Sequence, residues 1–190
     1  MNNQPHIKTK DMILVSIFAA LMAVGAFVKV AFPVIPLSLQ PFICALAGII
    51  LGARLGALSQ LVYILIGLFG IPVFTMGGGP SYILKPSFGF IIGFAAGTYI
   101  IGKVCSRFRT LNFVNAAISA IAGLAAIYAI GLPYMYLILR FYMNKPEITW
   151  AIVLAAGFFP FIIKDLIMYL VAAAVAVAVV PALKKAQLSS

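Results

Sequence analysis

Charged side chains are scarce in this sequence, and acidic ones are almost missing. Charged residues make up 8% of the 190 residues, and hydrophobic residues make up 65%. A soluble domain carries about 25% charged residues, because its surface must face water. Hydrophobic runs of about 20 residues, the length that crosses a bilayer as a helix, recur along the chain. We therefore predict an all-α integral membrane protein with a single transmembrane domain over residues 1–190.

The shortage of acids and histidine also limits the chemistry. The acids are Asp11, Glu147 and Asp165, and the one histidine, His6, lies in the N-terminal tail. Paired-carboxylate catalysis and a histidine-activated nucleophile therefore lack their residues within the membrane. The sequence has no GxxxxGK[ST] motif and no CxxC pair. We expect no enzymatic activity, no cofactor and no metal, and any ATPase that drives transport is a separate protein.

Proline, glycine and charge interrupt the hydrophobic runs at the points where helices are expected to end. One helix over residues 40–70 would be about 46 Å long, which exceeds an upright crossing, so we divide this run at residues 52–56. A single tilted helix is the alternative there. We predict a bundle of six transmembrane helices, with a short re-entrant or loop segment at 148–159. The spans are residues 12–31, two helices within 40–70, 88–101, 113–139 and 161–180.

The excess of basic residues indicates the orientation of the chain. The net charge is +10, and the bases lie at the ends of hydrophobic runs, so we expect no nucleic-acid binding. Six spans place both termini on one side, which has eight bases against four on the other. The positive-inside rule then predicts cytoplasmic termini. The eight are Lys8, Lys10, Arg54, Lys103, Arg107, Arg109, Lys184 and Lys185, and the four are Lys29, Lys85, Arg140 and Lys145.

Lys164 and Asp165 are adjacent ionisable residues within a predicted span. Such residues are costly in a bilayer and usually face a cavity or a partner, so we predict that they belong to a ligand site. Their side chains leave the helix about 100° apart and could contact different ends of one ligand. The alternative is a lysine that reaches the lipid headgroups and an aspartate that caps the helix.

Loop residues on the same side could complete this site with amides, hydroxyls and a cation. The candidates are Gln40, Gly79, Ser81, Tyr82 and Lys85. For Tyr82, a place in the interfacial belt of aromatic residues is an equal alternative.

Small residues recur on one face of span one. Ala19 and Ala23 are four positions apart, and Ala26 lies nearby. Such a face allows another helix to pack closely against it. The partner helix could belong to this chain, which the residues alone favour, or to a separate subunit.

Three glycine-rich segments follow one another in a distinctive order. They are Gly52-Ala-Arg-Leu-Gly-Ala-Leu-Ser, Gly67-Leu-Phe-Gly-Ile-Pro-Val-Phe, and Gly77-Gly-Gly-Pro-Ser-Tyr-Ile-Leu-Lys-Pro-Ser-Phe-Gly-Phe-Ile-Ile-Gly-Phe. Together they resemble the BioY family, whose members are the biotin-binding S components of energy-coupling factor (ECF) transporters. The resemblance extends over essentially the whole chain.

The resemblance implies a six-helix subunit of the bacterial plasma membrane that captures biotin near its outer face. The small-residue face with Ala19, Ala23 and Ala26 would dock on the transmembrane coupling subunit. Two ATPase subunits would supply the energy, and lipid would surround the assembly.

The last span of the family carries a pattern close to Pro-Gly-Asp followed three residues later by Lys. Asp165 matches this pattern, whereas Lys164 stands at the glycine position and Met168 stands at the lysine position. The resemblance implies that Asp165 accepts hydrogen bonds from the ureido N–H groups of biotin. Gln40 or Tyr82 would complete the bonds of the ring. Lys85 or Lys164 would meet the biotin carboxylate.

Other functions share these bulk features. An S component or independent carrier for another small vitamin would differ only in its pocket. An intramembrane enzyme would need a catalytic pair that the sequence lacks. A purely structural subunit would tolerate Asp165→Ala without losing any ligand.

Cysteine labelling tests the predicted orientation. In a chain whose Cys44 and Cys105 are replaced by alanine, a cysteine at Ser189 should react only from the cytoplasm. A cysteine at Asn144 should react only from outside, because an odd number of spans separates the two positions. Labelling of both positions from one side would contradict the six-span arrangement.

Overall fold

The long hydrophobic runs form helices. The structure is a computed structural model that describes residues 8–31 and 34–188, with side chains up to residue 183, so His6 and Ser189 lie outside the described part. The helices are α1 Thr9–Phe27, α2 Gln40–Leu68, α3 Phe88–Cys105, α4 Phe113–Leu137, α5 Trp150–Gly157 and α6 Phe159–Leu188. A 3-10 turn covers Pro80–Leu84, and a π-helical turn, Ile138–Tyr142, extends α4. Strands β1 Lys29–Val30 and β2 Leu37–Ser38 form an antiparallel β-hairpin between α1 and α2.

The α2 segment folds back on itself at Gly52. This residue has φ 78° and ψ −178°, a backbone conformation that breaks the helix. Residues with a side chain rarely adopt it. Gln40 Nε2 donates a 2.8 Å hydrogen bond to the hydroxyl of Tyr63, although residues 23 positions apart in a straight helix would be about 35 Å apart. A Cβ atom on Gly56 would lie 2.9 Å from the carbonyl oxygen of Ala47. The predicted division of this run is therefore confirmed, and a single tilted helix is excluded.

We call the two antiparallel halves α2a (residues 40–51) and α2b (residues 53–68). Counting α2 once, five segments of the described chain are long and apolar enough to cross a membrane. They are residues 9–27, 40–68, 88–105, 113–142 and 159–183. The protein is thus an all-helical, multi-pass membrane protein.

Several predicted helix ends are shifted. The first span ends at Phe27 rather than at residue 31, because residues 29–30 pair with β2. The segment predicted as re-entrant contains α5, whose eight residues extend about 12 Å and cannot cross a bilayer. Pro160 lies in the first turn of α6. Backbone N–H groups there have no acceptor within the helix, so the N–H that proline lacks costs no hydrogen bond. The Lys164–Asp165 pair therefore lies in the second turn of α6.

Glycines bring α3 very close to both of its neighbours. A Cβ atom on Gly102 would lie 2.1 Å from the backbone nitrogen of Ala53 in α2b. A Cβ atom on Gly97 would lie 2.9 Å from the carbonyl oxygen of Gly123 in α4. Small residues allow helix backbones to approach closely. Such packing holds helices together in a membrane, where lipid chains are as apolar as the side chains. The α3 helix is therefore fixed between α2 and α4, and it carries Phe90 and Phe94 toward the β-hairpin end of the bundle.

Candidate ligand-binding cavity

A cavity lies at the β-hairpin end of the bundle, among α2a, α3, α4 and α6. It has about 430 Å³ of empty space, including its open mouth. Its wall is mainly apolar with a few polar groups, which is typical of a small-molecule site. The lining residues are Ile35, Pro36, Ser38, Pro41, Phe90, Phe94, Leu124, Ile127, Tyr128, Gly157, Phe161, Lys164, Asp165 and Tyr169.

Asp165 is the one acidic residue among the described residues of the cavity wall, and it is 7% exposed. The hydroxyl of Tyr128 in α4 donates a 2.7 Å hydrogen bond to its Oδ2 atom. Its Oδ1 atom lies 2.8 Å from Lys164 Nζ, and no other described residue donates to it. The ion pair therefore offsets the charge, and Lys164 is the one group that a ligand must displace to reach Oδ1.

Lys164 and Asp165 do pair with each other, because the long lysine side chain bends back toward its neighbour. Lys164 Nζ also donates a 3.0 Å hydrogen bond to the carbonyl oxygen of Ser38 in β2. Its side chain is 25% exposed, so the ammonium group remains partly in contact with solvent. The lysine thus connects α6 to the β-hairpin at the edge of the cavity.

Lys164 and Met168 also line a second, shallower cleft beside the β-hairpin. Residues four positions apart share one face of a helix, and Lys164 lies about 6 Å nearer the β-hairpin end. The ammonium group of Lys164 is therefore on the helix face where the resemblance expects a lysine at position 168. Lys164 and Ser38 belong to the walls of both the cavity and the cleft.

Aromatic rings fix the hydroxyl of Tyr128. The Tyr128 ring packs edge to face against Phe90 at 6.1 Å and against Phe158 at 5.0 Å between ring centroids. Deeper in the bundle, the hydroxyl of Tyr169 donates to the Sγ atom of Cys44 at 3.6 Å. Cys44 Sγ is also 3.0 Å from the hydroxyl of Thr98. These buried contacts close the inner end of the cavity.

Gln40 does not line the cavity, although it was predicted at the site. Its Oε1 atom accepts a 3.2 Å hydrogen bond from the hydroxyl of Ser38, and its Nε2 atom donates to Tyr63. Tyr63 in turn donates to the carbonyl oxygen of Val73. Both ends of the amide are thus occupied within the protein, and Gln40 acts by positioning Ser38.

The other predicted loop residues form a separate cluster over residues 74–88. Tyr82 is 1% exposed, and its ring centroid lies 4.5 Å from that of Phe74. Lys85 Nζ lies over the Tyr82 ring and donates a 2.8 Å hydrogen bond to the carbonyl oxygen of Met76. Ser81 is exposed. The backbone N–H of Gly79 bonds to Gly67. None of Gly79, Ser81, Tyr82 and Lys85 lines the cavity.

The small-residue face of α1 packs mainly within the chain. Ala19 is 4% exposed and Ala26 is fully buried, whereas Ala23 is half-buried. Ala19 and Ala23 line a groove between α1 and α2b, together with the exposed residues Ser16 and Ala20. Internal packing, the alternative that the residues favoured, thus accounts for Ala19 and Ala26.

Comparison with known proteins places the chain in a family. The model described as the BioY family matches residues 1–185. This chain belongs to the BioY family. The "Probable biotin transporter BioY" of Lysinibacillus sphaericus is 42% identical over 168 residues, which are 88% of this chain and 85% of the relative. The "Biotin transporter BioY" of Thermotoga maritima is 35% identical over 168 residues, with 88% and 94% of the two chains covered.

The BioY chain also resembles a solved structure. The crystal structure of the S-component for biotin from an ECF-type ABC transporter aligns with a TM-score of 0.75 and covers 94% of both chains. The two sequences are 21% identical, so this comparison shows a shared fold. The sequence comparison therefore carries the family assignment, and the structural comparison supports the helix arrangement.

Tyr128, Ser38 and Tyr169 are polar residues of the BioY cavity that were not predicted as site residues. Tyr128 offered a signal, because a tyrosine near the middle of a span is unusual when most tyrosines lie at membrane interfaces. Its pairing with Asp165 depends on how two helices are rotated toward each other, which no local pattern specifies. The phenylalanines of the cavity wall were likewise not predicted, because a phenylalanine within a span carries no signal beyond its apolar character.

A double-mutant cycle tests the bond between Tyr128 and Asp165. Tyr128→Phe removes the donor of a hydrogen bond to a charged group, and Asp165→Leu removes its acceptor at similar volume. The coupling free energy of the pair should be about 1.5–3 kcal/mol when unfolding is measured in detergent. As a control, Tyr99→Phe alters an exposed ring and should change the free energy of unfolding little. Equal effects of the two tyrosine substitutions would contradict the assigned bond.

Proposed function

We propose that this chain is the biotin-binding S component of an ECF-type uptake transporter, and not an enzyme. The observation that carries this proposal is a buried carboxylate in one largely apolar cavity, with a displaceable lysine at the rim as the partner of its Oδ1 atom. The names of the relatives, all biotin transporters BioY, support the same ligand.

The chemistry of biotin is complementary to this cavity. Its ureido ring has two N–H donors, which the carboxylate of Asp165 can accept. Its sulfur-containing ring and alkyl chain are apolar and suit the rings of Phe90, Phe94 and Phe161. Its carboxylate suits an ammonium group. A competing ligand that left Asp165 unpaired would lose about 1–3 kcal/mol of binding free energy.

Binding requires the Lys164–Asp165 pair to open. The two groups are 2.8 Å apart, whereas the ureido ring and the carboxylate are at opposite ends of biotin. The ureido N–H groups therefore replace Lys164 at Oδ1, and the ammonium group turns toward the cleft that it shares with Met168. The biotin carboxylate meets Lys164 at that boundary between cavity and cleft.

A different small vitamin is the second candidate. Met168 occupies the position where the family resemblance expects a lysine, and this departure lies beside the cavity in the shallow cleft. A ligand without a carboxylate would have no need of a cation there.

We further propose six crossings, with α2a and α2b as two of them. Gly52 and the bases Arg54 and Lys103 lie at the end opposite the cavity, which agrees with a cytoplasmic location for that end. Both termini then face the cytoplasm of a bacterial cell, and the cavity opens outward to capture its ligand.

Energy would come from partner subunits, a transmembrane coupling subunit and two ATPases. The groove between α1 and α2b is the proposed docking surface for the coupling subunit, since Ala20 and Ala23 make its rim shallow. Of the other residues that the resemblance assigned to this contact, Ala19 is a buried residue of the groove wall, and Ala26 is buried outside the groove.

Asp165→Asn is the direct test of the ligand site. The amide keeps the size but replaces an acceptor with a donor facing the ureido N–H groups. Biotin affinity should fall about ten- to a hundredfold in calorimetry, because hydrogen bonds to charged groups are worth about 1.5–3 kcal/mol. Unchanged affinity would move the ureido site away from Asp165.

Lys164→Met tests the carboxylate contact, with Lys85→Met as its matched control. Lys164→Met should weaken biotin more than it weakens an uncharged biotin amide, because only biotin loses a charged partner. Lys85→Met should leave both affinities unchanged, since Lys85 lies outside the cavity. Equal losses for the two ligands in Lys164→Met would refute the carboxylate assignment.

Tryptophan substitution tests the docking groove. Ala20→Trp and Ala23→Trp should abolish co-purification with the coupling subunit while biotin binding persists, because the bulky ring blocks close helix approach. Leu21→Trp is the control, since Leu21 is exposed and lies at the opposite edge of the exposed face of α1. Normal co-purification of both alanine variants would place the docking surface elsewhere.

A further inference from the structure

An aromatic and basic cluster lies at the end of α4, apart from the ligand cavity. The rings of Tyr136 and Trp150 stack with centroids 4.6 Å apart and an interplanar angle of 5°. The guanidinium carbon of Arg140 lies 5.7 Å from the Tyr136 ring centroid. We call these three residues the α4-end cluster.

A π-helical turn shapes this cluster. The N–H of Met143 bonds to the carbonyl oxygen of Ile138, five residues earlier, at 2.9 Å. Such turns are rare and occur frequently at functional sites. Arg140 lies in the middle of this turn, where its Nη1 atom donates a 2.9 Å hydrogen bond to the carbonyl oxygen of Ile148. That bond fixes the guanidinium group and leaves its other N–H groups available.

The cluster has more hydrogen-bond donors than acceptors. The remaining guanidinium N–H groups and the indole N–H of Trp150 donate to no described residue. Trp150 is 49% exposed, so the cluster is open to the surroundings of the protein. An oxygen-rich, acceptor-only group would satisfy several of them together.

The charge around the cluster is positive. Lys145 follows on the same loop, and Glu147 is the nearby acid in sequence. Neither base pairs with Glu147, since the ion pair found among described residues is that of Lys164 and Asp165. Arg140 therefore has a carbonyl and a ring as partners but no counter-charge.

The cluster lies at the level of a membrane surface. The hydroxyl of Tyr134, six residues before Arg140, donates a hydrogen bond to the carbonyl oxygen of Ile83 in the loop before α3. This places the end of α4 beside the loops at the β-hairpin end. Exposed aromatic rings at the ends of spans sit among lipid headgroups, where phosphate oxygens are abundant.

We propose that the α4-end cluster binds the phosphate headgroup of an anionic phospholipid. Arg140 donates to the phosphate oxygens, Trp150 donates to a phosphate or ester oxygen, and the exposed indole ring lies along the upper acyl chain. A zwitterionic headgroup would bring a second cation toward Arg140 and Lys145, so an anionic one is preferred. This site is independent of the biotin cavity.

Trp150 is the one tryptophan of the chain and therefore reports on this site alone. The full-length protein is reconstituted in phosphatidylcholine vesicles that contain lipid brominated near the headgroup end of its acyl chains. Brominated phosphatidylglycerol should quench Trp150 with an apparent affinity about fivefold higher than brominated phosphatidylcholine, as expected for one basic contact. Arg140→Gln should remove this preference, and Arg140→Lys should keep part of it.

Arg54→Gln is the matched control, since Arg54 is exposed at the opposite end of the bundle. It should retain the full preference. Equal quenching by the two lipids in the unchanged protein would overturn the proposal, because the cluster would then be an ordinary aromatic belt. Retention of the preference in Arg140→Gln would also overturn it. Reversal of the preference by inorganic phosphate at constant ionic strength would assign the site to free phosphate and not to lipid.

Discussion

The burial of one carboxylate is the constraint on which the site depends. A buried charged side chain within a membrane span is costly, so it persists only with compensation. For Asp165 the compensation comes from the Tyr128 hydroxyl in α4 and from Lys164, which also reaches Ser38 in β2. The carboxylate therefore connects α4, α6 and the β-hairpin around one cavity, and a ligand gains access to its Oδ1 atom by displacing Lys164.

A chain of hydrogen bonds extends from the rim of the cavity into the rest of the fold. Ser38 bonds to Gln40, Gln40 bonds to Tyr63, and Tyr63 bonds to the carbonyl oxygen of Val73. The chain of bonds exists because Gly52 turns α2 back on itself and brings its two ends together. A ligand that displaces Lys164 from Asp165 thus acts at one end of a polar network that extends to the loop after α2b.

Sequence patterns were informative where a physical rule acts locally. Hydrophobic length and the break at Gly52 predicted the helices, and the cost of charge in lipid singled out Lys164 and Asp165. The rotation of helices about their axes follows from packing of the whole bundle, so the Tyr128 contact was missed and Ala26 proved to face inward. The packing of the loop before α3 was also not predictable, since the burial of Tyr82 against Phe74 depends on contacts within the folded loop.

Uptake of biotin by the cavity around Asp165 can be tested by mass spectrometry of the small molecule that gently purified protein retains, because this measurement identifies the ligand without assuming it. We expect biotin at about one molecule per chain, and its loss from Asp165→Asn purified in the same way. Recovery of a different vitamin, or of biotin in equal amount from both proteins, would show that the cavity is not a biotin site that depends on Asp165.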